Sequence, residues 1–143
     1  MFVLDTNVLV YAADRGSPQH AACHRLVRES RDRVSAWYLT WGICYEFLRV
    51  VTHHRVFDPP STTAEALEAI RDFLAPPVVR VLSETARHSL LLDLVLQESR
   101  VTGNLIHDAH LVVLALEHGV HELLTLDGDF TRFPQLSSRN PFR

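Results

Sequence analysis

Four acidic residues stand where apolar sequence leaves little reason for a solvated charge. Asp5 follows Phe2-Val3-Leu4, Glu46 interrupts the run from Ile43 to Val51, Asp108 lies in the apolar stretch Ile106 to His118, and Asp127 ends Leu123-Leu124-Thr125-Leu126. Ordinary roles are open to three of them. Asp5 can cap the helix that follows it, Asp108 can answer the positive end of its helix, and Asp127-Gly128-Asp129 is a turn sequence. Glu46 is harder to place, because it lies three residues after Ile43 and four before Val50 and so shares the apolar stripe, while Arg49 and His53 point elsewhere. An ionised carboxylate buried there needs a cation, a proton or a cavity. Gathered at one place, the four acids would repel one another and raise one another's pKa values unless a cation neutralised them. Oxygen-only ligands favour Mg²⁺ or Mn²⁺ over zinc. Such an ion activates water and offsets charge on a phosphodiester oxygen, and a second ion about 4 Å away would hold the leaving oxygen. The chemistry this pattern suits is phosphate-ester hydrolysis.

The elements that must position these acids alternate along the chain. Phe2-Val3-Leu4 reads as a short buried strand, followed by the turn and cap formers Asp5-Thr6-Asn7 and a helix over Val8 to Ala13. Ser17-Pro18 opens a second helix running towards Arg31, and Val34 to Leu39 is a strand. Thr40 caps the helix that carries Glu46, which ends before Pro59-Pro60. Ser61-Thr62-Thr63 starts another helix, which ends before Pro76-Pro77. Val78 to Leu82 is a β-branched strand, and Ser83 or Thr85 begins a helix reaching Arg100. After the break at Gly103-Asn104, a helix over Ile106 to His118 is ended by Gly119, and Leu123 to Leu126 forms the last core strand. The tail from Pro134 reads as irregular. Strands separated by helices imply an α/β fold with a parallel sheet, whose ligand sites lie beyond the carboxyl ends of the strands, where Asp5 and Asp127 stand.

The chain has 143 residues, 47% of them hydrophobic, enough for one compact domain with a real core and no room for a second. No apolar stretch approaches the roughly 18 residues that span a bilayer, and no signal peptide is readable, which points to a soluble, cytoplasmic protein. Cys23 and Cys44 form neither a CxxC pair nor a disulfide framework; among apolar neighbours they read as buried, reduced thiols. The net charge of −3 provides no basic field of the kind a nucleic-acid binder usually carries. All 14 basic residues are arginine, however, and guanidinium grips phosphate bidentately. The nine histidines show no metal-binding spacing and read as surface or helix-end residues.

Val3-Leu4-Asp5-Thr6-Asn7-Val8-Leu9, Glu46-Phe47-Leu48-Arg49-Val50, Thr102-Gly103-Asn104-Leu105-Ile106-His107-Asp108-Ala109-His110-Leu111 and Thr125-Leu126-Asp127-Gly128-Asp129-Phe130 together resemble the PIN-domain family and, more narrowly, VapC-type toxins. The match runs in order from Asp5 to Phe130 and extends towards Asn140-Pro141. The resemblance implies one PIN-like domain over residues 1–143, with a mostly parallel sheet flanked by helices. It implies a ribonuclease in which Asp5, Glu46 and Asp108 hold Mg²⁺ or Mn²⁺. Asp127 completes the acidic set and orients water or a second ion, with Asp129 in reserve. Thr6, Asn7 and Thr125 fall beside these positions and, by analogy, tune the carboxylates through hydrogen bonds. Single-stranded or loop RNA as substrate, 5′-phosphate and 3′-hydroxyl products, a homodimer and a cognate antitoxin that blocks the site are further implications. Arg15, Arg49, Arg55, Arg132 and Arg139 are candidates to meet phosphates, and an exposed segment from Trp37 to Trp41 is a candidate contact surface.

Two other enzyme readings fit less well. A haloacid-dehalogenase-like phosphatase also begins with a strand and an aspartate but needs a second aspartate at the position of Asn7. An HD-type phosphohydrolase, suggested by His107-Asp108, needs more histidine ligands in suitable helices. A catalytically silent interaction module of the same fold is the remaining alternative, and the intact acids argue against it.

Overall fold

The computed structural model describes residues 1–143. Five strands form one sheet in which every pairing is parallel: β1 (Val3–Leu4), β2 (Trp37–Thr40), β3 (Val79–Leu82), β4 (Glu122–Leu124) and β5 (Ser137–Arg139), in the order β3-β2-β1-β4-β5. The α/β architecture expected from the alternation is present. β1 pairs Val3 with Tyr38 on one side, and Val3 and Leu4 with Leu123 and Leu124 on the other. Covered on both faces, the central strands have no solvated side, so Val3, Leu4, Leu39 and Leu123 are fully buried. Each contributes about 2 kcal/mol by leaving water.

Six helices connect the strands: α1 (Thr6–Ala13), α2 (His20–Arg31), α3 (Trp41–Val51), α4 (Thr63–Leu74), α5 (His88–Ser99) and α6 (Leu105–Glu117). Their starts follow local chemistry. Asp5 caps α1, Thr40 Oγ1 accepts from Ile43 N at 3.1 Å at the head of α3, and Thr62 forms a reciprocal capping box with Glu65 at the head of α4. The β1-to-β2 and β2-to-β3 connections step one way along the sheet, whereas the connection through α5 and α6 returns across it to β4. Right-handed crossovers therefore put α1 to α4 on one face and α5 with α6 on the other. The reversal creates a switch point between β1 and β4, the place where open parallel sheets bind ligands.

Several boundaries differ from the sequence expectation. Val34 is fully exposed, and strand β2 begins only at Trp37, whose side chain is buried and donates from Nε1 to the Ser30 carbonyl at 2.8 Å. The segment Trp37 to Trp41 is thus mostly core; only Trp41 at its end is exposed. Helix α5 starts at His88 rather than Ser83 or Thr85, because Thr85 spends its backbone N–H and hydroxyl on Glu117. The tail is not irregular. Ser137–Arg139 adds a polar edge strand beside β4, held by backbone bonds and unmarked by apolar alternation. Cys23 and Cys44 are buried free thiols. No helix is long and apolar enough to cross a membrane.

Candidate active site

β1 ends at Leu4, and the next residue donates its backbone N–H to the Leu124 carbonyl at 3.0 Å, which brings Asp5 to the seam with β4. Asp5 is 7% exposed. One carboxylate oxygen accepts from Thr6 N at 2.7 Å, and the other accepts from Thr125 Oγ1 at 2.6 Å and Asn7 Nδ2 at 2.7 Å. Thr125 has every hydrogen-bonding capacity in use, since its hydroxyl also accepts from Asn7 Nδ2 at 3.0 Å and Asp127 N at 2.9 Å. Asn7 Oδ1 accepts from Leu126 N at 3.2 Å. The three polar neighbours singled out in the sequence therefore form one clamp that orients Asp5 and the chain entering Asp127.

Burial nevertheless outweighs these bonds. Desolvation pushes the Asp5 carboxyl up from 3.8 to about 6, with the charges of Glu46 and Asp108 adding to the rise and the bonds from Thr125 and Thr6 opposing it. Asp108, in the first turn of α6, rises to about 6 as well, through desolvation and then through Asp127, Glu46 and Asp129. It does not cap its helix; no side chain does so at Asn104. Two carboxyls raised together, first by burial and then by neighbouring carboxylates, mark one acidic site partly withdrawn from water.

A cleft of about 290 Å³ collects all four acids, Asp5, Glu46, Asp108 and Asp127, with Thr6 and Asn7 between them and Val10, Tyr11, Val50, Val56 and Phe130 as walls. Glu46 enters it differently from the sequence expectation. Its side chain is 53% exposed rather than buried in the apolar stripe, with Oε2 accepting from Thr6 Oγ1 at 3.1 Å and Oε1 3.8 Å from Arg49. The helical spacing put Glu46 beside Val50 in the cleft lining, but this turn of α3 is open to solvent, and Arg49, expected to point elsewhere, stands next to it. Asp127 caps a 3₁₀ turn, Gly128–Arg132, by accepting from Asp129 N at 2.8 Å. Asp129 lies outside the cleft lining and faces Arg132 at 3.9 Å.

Three oxygens of the cleft acids do not gather within 4.8 Å of one another; the one cluster of potential metal ligands that tight is Glu84, His88 and His110. Among the arginines, Arg49 stands beside Glu46, but Arg139 is paired with Glu122 at 2.8 Å, and Arg15 lines a separate groove with Arg28 and Arg31. The walls Val10, Tyr11 and Val56 carried no signal in the sequence, since an apolar residue facing a cleft reads like one facing the core.

A model of the PIN domain matches residues 2–136. This chain belongs to the PIN-domain family. Ribonuclease VapC48 of Mycobacterium tuberculosis is 35% identical to it over 138 residues, covering 96% of this chain and 95% of that one. The crystal structure of VapC20 from the same organism, a sarcin-ricin loop cleaving toxin, is similar with a TM-score of 0.67 at 16% identity, over 95% of this chain and 98% of that one. VapBC2 from Rickettsia felis, bound to a DNA fragment from its promoter, gives the same TM-score and identity over 96% of both chains. At that identity the two structures speak for the PIN fold. In this PIN domain Asp5, Thr125 and Asp127 lie just beyond the ends of β1 and β4, where the strand order reverses, and Glu46 on α3 and Asp108 on α6 complete the cleft around them.

Proposed function

We propose that this PIN-domain chain is a divalent-metal-dependent endoribonuclease and the toxin of a toxin–antitoxin pair. The observation that carries the reading is the joining of Asp5, Glu46, Asp108 and Asp127 in one cleft with Asp5 and Asp108 both raised to about 6, in a chain 35% identical to a VapC ribonuclease. The donor set is all carboxylate, which fits a hard dication such as Mg²⁺ or Mn²⁺.

Asp5, Glu46 and Asp108 are the residues that would hold the ion, with Asp127 positioned to orient water or a second ion. When bound, such an ion activates water and neutralises charge on the scissile phosphate. The protein's own part is positioning. Thr125, Asn7 and the Thr6 N–H hold both oxygens of Asp5 in place, and the Thr6 hydroxyl holds Glu46. Tyr11, half-buried on the cleft wall, offers a face on which an unpaired base can stack, and exposed Arg49 is placed to meet a phosphate. Single-stranded or loop RNA suits such an open cleft, and we place the protein in the cytoplasm with that RNA. A homodimer and a cognate antitoxin complete the reading; Trp41 and Tyr45, 54% and 69% exposed and one turn apart on α3, offer apolar surface for such contacts.

The test is incubation of total RNA with protein freed of any co-purifying partner, in Mg²⁺, Mn²⁺ or chelator, followed by mapping of the ends. Discrete metal-dependent cuts leaving 5′-phosphates are expected. Folded protein that cuts no RNA under any of these conditions would shift the assignment to a silent binding module.

A further inference from the structure

Behind the acidic cleft, the packing of α5 against α6 assembles a second set of ligating groups. His110 is two residues beyond Asp108, which turns it to the opposite side of α6. Its Nε2 lies 2.9 Å from Glu84 Oε1, and its ring meets His88 edge to face with centroids 5.4 Å apart. One ligand atom from each of Glu84, His88 and His110 lies within 4.8 Å of the other two.

A buried carboxylate lies beneath this cluster. Glu117, two turns after His110 on the same side of α6, is 5% exposed, and its Oε2 accepts from His88 Nδ1 at 2.8 Å while Oε1 accepts from Thr85 N at 2.8 Å and Thr85 Oγ1 at 2.7 Å. A histidine that donates Nδ1–H to a carboxylate is fixed in one tautomer and carries its lone pair on Nε2, the arrangement that protein metal sites use to orient and strengthen an imidazole ligand. We propose that Glu84, His88 and His110 form a site for a transition-metal dication of the zinc class, with Glu117 as the residue that positions His88. Two imidazoles and one carboxylate suit zinc, cobalt or nickel, whereas the oxygen-only cleft suits magnesium or manganese. The two sites therefore differ in the metal they select. An ion here ties the segment between β3 and α5 to α6, the helix that carries Asp108.

Titration of tag-free protein with Zn²⁺ alone, followed by calorimetry, and with Co²⁺, followed by visible absorption, tests the site. Wild-type protein is expected to bind Zn²⁺ and to give a cobalt spectrum with nitrogen ligands. Glu84→Gln and His110→Gln, both at solvent-accessible side chains, are expected to weaken binding about tenfold or more while the protein stays folded. The Asp5→Asn, Asp108→Asn double variant should retain the site. No zinc binding by wild-type protein, unchanged affinity in the two cluster variants, or loss of binding in the double variant of the cleft would each overturn the proposal.

Discussion

Replacing Asp5 by asparagine should make the metal-free protein more stable near neutral pH. The carboxyl rises from 3.8 to about 6 on folding, a shift of about two units, so its ionised form costs the folded chain about 3 kcal/mol. A raised pKa means that the folded state holds the proton more tightly than the unfolded state does. The cost is therefore absent below about pH 4, where both states are protonated, grows as pH rises, and is complete above about pH 6, where both are ionised. Asparagine never ionises and keeps the bond from Thr6 N, but its amide group turns a donor towards Asn7 Nδ2 and the Thr125 hydroxyl. That mismatch returns about 1–2 kcal/mol. The net gain near neutrality is about 1–2 kcal/mol, or about 3–8 °C in melting temperature, whereas in mild acid only the mismatch remains and the variant becomes the less stable protein. Thermal melts in chelator across this pH range should thus cross. Adding Mg²⁺ should raise the wild-type curve and leave the variant's nearly unmoved. A variant less stable than wild type at every pH would refute the account of Asp5 as a charge held out of water for a cation.

Thr125→Val removes the hydroxyl that serves Asp5, Asn7 and Asp127 together, so it should cost about 1–3 kcal/mol in urea unfolding and move the acid limb of any cleavage profile to higher pH, with Thr125→Ser restoring both. Protons compete with metal at Asp5 and Asp108, both near 6, so metal-supported cleavage should fall as pH drops through that region; a flat profile there would contradict the assignment. Asp127→Ala should lower cleavage about tenfold or more, while Asp129→Ala, outside the cleft, should leave it near wild type in the same kinetic assay. Glu117→Ala strips the acceptor from Thr85 and His88 and should destabilise the fold by about 3 kcal/mol, measurable as a lower urea midpoint.

The acids at strand ends were legible because a parallel sheet sends its strands in one direction and turn formers mark where each one stops. Asp5 after Phe2-Val3-Leu4 and Asp127 after the β4 segment both read that way, and both line the cleft. Glu46 was found by helical spacing, yet its exposure was misjudged, since the spacing tells which side of α3 it occupies but not that the cleft opens there. Strand β5 left no trace, because Ser137-Ser138-Arg139 is polar throughout and is held by the backbone of β4. Thr85 looked like a helix cap and instead serves Glu117 from the far end of another helix. The same long-range packing hid the meeting of His88 with His110, which no local pattern in the sequence announces.

The most direct measurement is RNA cleavage by wild-type protein beside Asp5→Asn and Asp108→Asn, in Mg²⁺ or Mn²⁺, with each variant's fold verified by its melting curve. The four-acid cleft predicts discrete cuts by the wild type, none by either folded variant, and none by the wild type in chelator. Cleavage that persists in both variants would place the reaction elsewhere on the protein.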